Sequence, residues 1–167
     1  MSSQPNTEGK QKDGLRWVST SNGRIPPGAL AQGVDRTGLP LFIGRGAYKG
    51  GVHPGKAAPH VGDGGFQLSW GGRAHSLNEY QILCGDIQRT CWVPVHGSVQ
   101  GLIDRGVRLV DGGNEADGST PLFIAKAQAD GAVVLGKCGP HIRNGMSYPD
   151  AAGAERDESK YMVLAHL

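Results

Sequence analysis

The chain has 167 residues, with 17 Lys and Arg against 15 Asp and Glu and a net charge of +2. That length carries one sizeable core or two small ones, and the near balance of charge means that charge alone implies neither an acidic nor a basic partner. The 28 glycines and ten prolines cut the chain into short pieces. No window of ten or more residues keeps a clean helical apolar period, whereas short runs of Val, Ile, Leu and Phe recur between turn signals, so the fold class is all-β.

In chain order, residues 1–14 (MSSQPNTEGKQKDG) hold no large apolar residue beyond Met1 and read as a flexible tail. They fit neither a secretory leader nor a membrane span, since both need an apolar run, and no later run reaches membrane length. The expected location is cytoplasmic, or secreted without a classical signal peptide. Trp17-Val18 opens the first strand. SNGRIPPGAL, from Ser21 to Leu30, is a turn followed by an extended loop, because Pro26 and Pro27 fix φ and exclude a helix. Pro40–Ile43 (PLFI), Tyr80–Leu83 (YQIL) and Tyr161–Leu164 (YMVL) are strand cores, rich in side chains that suit a pleated, half-buried surface. Val61–Gly65 (VGDGG) is a further turn. The link Cys84–Cys91 (CGDIQRTC) is too short and too poor in Pro and Ser to be a flexible linker. Cys84, Cys91 and Cys138 make an odd count, which points to free thiols in a reducing compartment, with a Cys84–Cys91 bridge across a hairpin as the alternative.

The chain also repeats itself. Pro40–His60 and Pro121–His141 are 21 residues each and agree at ten positions without a gap. EYQIL at Glu79–Leu83 and KYMVL at Lys160–Leu164 keep the same offset, and RWV at Arg16–Val18 matches CWV at Cys91–Val93. Two units follow, about Trp17–Leu83 and Trp92–Leu164, with extra residues between Trp92 and Gly113 that are expected to form a loop. Each unit is short for a core of its own. Residues 15–167 are therefore expected to form a single compact domain in which two related β motifs pack with pseudo-twofold symmetry.

The first copy, with Trp17-Val18, Asn22-Gly23, Ile25-Pro26-Pro27-Gly28-Ala29, Gly33-Val34-Asp35, Leu41–Arg45, Pro54-Gly55-Lys56 and Tyr80–Leu83, resembles the DM-nine repeat family. The resemblance runs from about Trp17 to the end of the chain. Members of similar size and two-repeat layout include mannose-specific lectins of molluscs. The resemblance thus implies a β-only fold of two motifs, a homodimer and a shallow sugar site. It assigns the sugar contacts to the Asp of Gly-x-Asp and the Lys of the Pro-Gly-Lys turn, here Asp35 and Lys56. The second copy departs from the pattern: Gly113-Asn114-Glu115 and Leu135-Gly136-Lys137 stand in those places, and Lys126 replaces Arg45. Glu115 and Lys137 are carried as a second carbohydrate-binding pair, with Asp117 nearby.

Those residue types suit a sugar. An ionised carboxylate accepts from two adjacent hydroxyls, and an ammonium donates to two. Such charge-assisted bonds are the stronger kind, so an Asp and a Lys facing each other across a vicinal diol read hydroxyl orientation. Both Asp35 and Lys56 sit beside glycines, Gly33 and Gly55, read here as bends that raise the side chains from a rigid sheet. The plainer alternative is an Asp that bonds its own turn and a Lys that is merely solvated.

Other chemistries find less support. Six histidines show no metal-ligand spacing, and no metal or other cofactor is expected. His60 and His141, each after a Pro and matched by the repeat, read as structural. No nucleophile-elbow or phosphate-loop pattern occurs, so no enzyme is expected. Basic residues are scattered and not interleaved with aromatics, which argues against nucleic acid. Trp17 and Trp92 read as matched core residues. Trp70 has Ala151 as its counterpart and is a candidate for a binding rim. The expectation is a lectin for mannose-type glycans in recognition of microbial or foreign surfaces; the rival is a protein-interaction module of the same fold without sugar affinity.

Overall fold

The computed structural model describes residues 14–167, so the tail expected at residues 1–14 lies, Gly14 apart, outside the described residues. The first half carries β1 (Leu15–Ser21), β2 (Ala31–Val34), β3 (Pro40–Tyr48), β4 (Gly51–Ala57), β5 (Phe66–Trp70), β6 (Arg73–Leu77) and β7 (Glu79–Gly85). The second carries β8 (Thr90–His96), β9 (Asp111–Asn114), β10 (Pro121–Ala129), β11 (Ala132–Cys138), β12 (Met146–Pro149), β13 (Glu155–Glu158) and β14 (Lys160–His166). The fold is all-β, as the short apolar runs imply, and all 14 strands join one continuous antiparallel network.

Corresponding strands pair alike in the two halves. β1 runs against β7, and β8 against β14. β3 and β4 form a hairpin over Lys49-Gly50, β10 and β11 one over Asp130-Gly131. Both residues of each turn have positive φ (48° and 85°; 52° and 74°), the conformation that suits a two-residue hairpin to strand twist. The link between halves is a single 3-10 turn, Ile87–Arg89, fixed by Asp86, whose carboxylate accepts from the Gln88 N–H at 3.0 Å.

The halves are interlocked by reciprocal bonds. Val133 of β11 pairs with Val34 of β2, and Val52 of β4, the repeat counterpart of Val133, pairs with Asn114 of β9. Ala74 N–H donates to the Gly153 carbonyl, and Glu155 N–H to that of Gly72. Each of these bonds is the other's mate under the pseudo-twofold. The core is shared in the same way: one cluster joins Leu15, Trp17, Leu41 and Ile43 to Val110, Ile124, Leu135 and Leu164. Neither half could bury these residues alone, which is why two short units make one body.

One local expectation is corrected. The extra residues of the second copy do not form a bare loop. They include a short helix, α1 (Gln100–Asp104), which buries Leu102 together with Val99 against Met146, Tyr148 and Tyr161. A segment with two apolar residues three apart folds onto the core instead of crossing solvent.

Candidate functional site

Asp35 follows β2 at the start of a tight connection to β3. Its Oδ1 accepts from Thr37 N–H at 2.9 Å, Thr37 Oγ1 at 2.7 Å and Leu39 N–H at 3.0 Å. Its Oδ2 lies 2.8 Å from His60 Nε2. The Thr37 hydroxyl above all, with the two backbone N–H groups and His60, holds the carboxyl down at about 2, so Asp35 is ionised at any physiological pH. One carboxylate oxygen thus staples the turn, while the other keeps unfilled acceptor capacity beside His60.

Lys56 lies within β4, paired with Ile43 of β3 and Gln67 of β5. Pro54-Gly55-Lys56 is therefore mid-strand and not a turn. Gly55 is required for another reason: a Cβ there would sit 2.1 Å from the Gln67 carbonyl oxygen, so only glycine lets β4 and β5 approach. Gly33 likewise lies in β2, where a Cβ would meet the Val133 carbonyl oxygen at 2.8 Å. The glycines beside Asp35 and Lys56 serve backbone contact, not bends.

Asp35 and Lys56 line one cavity of about 310 Å³. Its opposite wall comes from the other repeat: Ala129 and Asp130 of the β10–β11 hairpin, Tyr148 and Pro149 of β12, and Asp150 beyond them. Burial lowers the Lys56 pKa, and Asp150 and Asp35 oppose that shift. Asp150 is itself lowered, chiefly by the Ala154 N–H that its carboxylate accepts. Lys56 thus shares the cavity with two ionised carboxylates that act on it, one from each repeat, and Arg36 and Asp130 line it as well.

The second pair differs. Glu115 Oε2 accepts from His141 Nε2 at 2.6 Å, in the place where Asp35 meets His60. Turn stapling has passed to Asp117, which accepts from Ser119 N–H, Thr120 N–H and Thr120 Oγ1 and is likewise held at about 2, chiefly by the Thr120 hydroxyl. Lys137 is only 4% exposed. It donates to the Ser69 carbonyl at 2.6 Å and to His53 Nδ1 at 3.0 Å. Burial first, then the Lys137 charge, depresses His53 to about 4, so it is the neutral acceptor that the ammonium needs. Two of the three Lys137 donors are committed inside the protein, whereas Lys56 makes no hydrogen bond to another described residue.

Sequence reasoning missed the partners supplied across the repeats, Asp150 and His53, because no spacing rule links them to Asp35 or Lys137. The roles of His60 and His141 were signalled by their repeat-matched Pro-His, but only coordinates tie each to the acid of its own repeat. Trp70 is 38% exposed and meets Tyr48 edge-on at 5.6 Å, with His75 stacked on Tyr48 at 4.4 Å. Cys84, Cys91 and Cys138 are free thiols. Burial raises the pKa of Cys84 and Cys138, an environment unlike that of a reactive thiolate. Among the described residues no group of His, Cys, Asp and Glu has metal-binding geometry, and no helix is long and apolar enough to cross a membrane.

Comparison with known proteins agrees with this architecture. A crystal structure of the nematode sperm cell motility protein MFP2B superposes with a TM-score of 0.67 at 16% identity, covering 99% of this chain and 49% of that one. The chain therefore spans about half the length of that protein and shares its fold. No curated protein matches the chain. The profile of the DM9 repeat matches residues 7–63 and 52–157, two overlapping segments that reach from before the first repeat to just short of the last strand of the second. The chain belongs to the DM9 repeat family.

Proposed function

We propose that this protein is a carbohydrate-binding protein that recognises mannose-type glycans through Asp35 and Lys56, in the recognition of microbial or foreign surfaces. The observation that carries the reading is the cavity that these two residues line together, with an ionised carboxylate on one side, an ammonium without a hydrogen-bonded partner among the described residues on the other, and Tyr148 and Asp150 of the second repeat as its far wall. A vicinal diol laid between Asp35 and Lys56 donates to the free capacity of Oδ2 and accepts from Nζ. An epimer with one hydroxyl turned away leaves one partner unpaired, at about 1–3 kcal/mol. No step of catalysis is assigned to the site.

Glu115 and Lys137 form a weaker second site in this proposal, because Lys137 is buried and has two of its three donors held by His53 and Ser69. A monosaccharide held by so few groups binds at roughly 10⁻⁴–10⁻³ M. Useful strength comes from a homodimer that engages several branches of one surface.

The test is retention on immobilised mannan with free mannose or galactose as competitor, for wild type and Lys56→Met. Competition by mannose alone, lost in the variant with the fold intact, supports the reading. The rival reading, a protein-interaction module, draws on the fold shared with a motility protein. Failure of both sugars to compete would decide for it.

A further inference from the structure

A groove of about 780 Å³ lies on the sheet face formed by β8, β14 and β10. Cross-strand pairing sets Pro94, Met162 and Lys126 in one row and His96 and Lys160 in the next. Among the described residues no Asp or Glu lines the groove. Met162 is 40% exposed, one of only a few large apolar side chains left in solvent among the described residues.

The first repeat contains the same groove in another lining. There, on β1, β7 and β3, the row is Ser19, Gln81 and Arg45, with Ser21 and Glu79 in the next. In both grooves the cation sits 4.3 Å above the matched tryptophan, Arg45 over Trp17 and Lys126 over Trp92. Backbone and buried layer are thus kept, while Ser19 becomes Pro94, Gln81 becomes Met162 and Glu79 becomes Lys160. The fold does not require an apolar, cationic lining at these positions, because the first repeat builds the same sheet with Ser, Gln and Glu.

We propose that this groove binds a single-chain amphipathic carboxylate, the chemistry of a fatty-acid anion. Lys126 and Lys160 take the carboxylate, and the chain lies over Met162 and Pro94. Complementarity here is of two kinds at once: cations with no counter-charge among the described lining residues, beside exposed apolar surface. The volume falls within the ~300–1,000 Å³ of small-molecule sites. A second copy is a poorer occupant, since a twofold contact would set Lys126, Lys160 and His96 against their own mates.

The experiment is calorimetric titration of the full chain with dodecanoate below its aggregation concentration, beside octanoate and dodecyltrimethylammonium. Trp92 fluorescence is a second readout, because Lys126 covers that ring. Dodecanoate is expected to bind one to one. Octanoate is expected to bind at least tenfold more weakly, as each buried methylene contributes about fourfold. The cationic amphiphile is not expected to bind. Met162→Glu and Lys160→Glu should each weaken dodecanoate at least tenfold with the melting temperature retained. Gln81→Glu, the matched change in the first repeat, should leave binding unchanged. The proposal is overturned by equal binding of the cationic amphiphile, by equal loss in Gln81→Glu, by absence of dodecanoate binding, or by a dimer that Met162→Glu dissociates and dodecanoate does not. Mannose competition is untouched by these variants, so the two proposals fail separately.

Discussion

His141 Nε2 meets Glu115 Oε2 at 2.6 Å, as His60 meets the Asp35 carboxylate at 2.8 Å in the other repeat. The acid–histidine contact is conserved between the halves, yet the lysines that accompany it are not equivalent. Lys56 stands in an open cavity between Asp35 and Asp150, and Lys137 is tied to His53 and Ser69.

The two lysines should therefore answer differently to the same substitution. Lys56→Met keeps the apolar stem and removes the charge. It is expected to cost at least tenfold in mannose competition while shifting stability by no more than ~0.5 kcal/mol. Lys137→Met leaves the Ser69 carbonyl and His53 Nδ1 without their donor and is expected to lower stability by about 1–3 kcal/mol. Urea denaturation beside the mannan assay measures both. Equal behaviour of the two variants would contradict the assignment.

Acid should act in two windows. His53, with its folded pKa near 4 against 6.5, binds fewer protons folded than unfolded between those values. Its contribution is full above pH 6.5 and is lost as pH falls toward 4, by about 3 kcal/mol at most. Asp35, lowered to about 2 from 3.8, contributes above 3.8 and loses that contribution as pH falls toward 2. Melting curves between pH 7 and pH 2.5 should show both declines. His53→Asn should flatten the first and spare the second.

Two glycines in equivalent strands admit no side chain. A Cβ at Gly55 would lie 2.1 Å from the Gln67 carbonyl oxygen, and one at Gly136 would lie 2.0 Å from that of Ser147. Gly55→Ala and Gly136→Ala are each expected to cost about 3 kcal/mol or more, since backbone has to move. Gly101→Ala, on α1 with nothing within 4 Å, is the control and should be neutral or stabilising. Soluble yield and melting temperature report the contrast.

The halves should not fold apart. Separate chains ending and starting at the Ile87–Arg89 turn would each expose the cluster that Leu41 and Ile43 share with Ile124 and Leu135. Each is expected to bind a hydrophobic dye and to lack near-ultraviolet dichroism, and mixing the two should restore the native spectrum. A native-like spectrum from either half alone would count against a shared core.

The sequence by itself determined the strands, the two copies and their pseudo-twofold relation, because alternation of apolar runs with Gly and Pro punctuation is local, and a repeat is visible wherever it is written. Strand cores such as Pro40–Ile43 and Tyr161–Leu164 lie where the apolar pattern sets them. It also singled out Asp35 and Lys56, through resemblance and not through spacing. What only the tertiary structure decided is how the copies use each other. The Val34–Val133 and Val52–Asn114 pairings bring Tyr148 and Asp150 opposite Lys56 and His53 against Lys137. The first lysine is left lining a cavity and the second is closed inside the protein. Burial and hydrogen bonding depend on neighbours roughly 80 residues away in the chain, a distance over which no local pattern carries information.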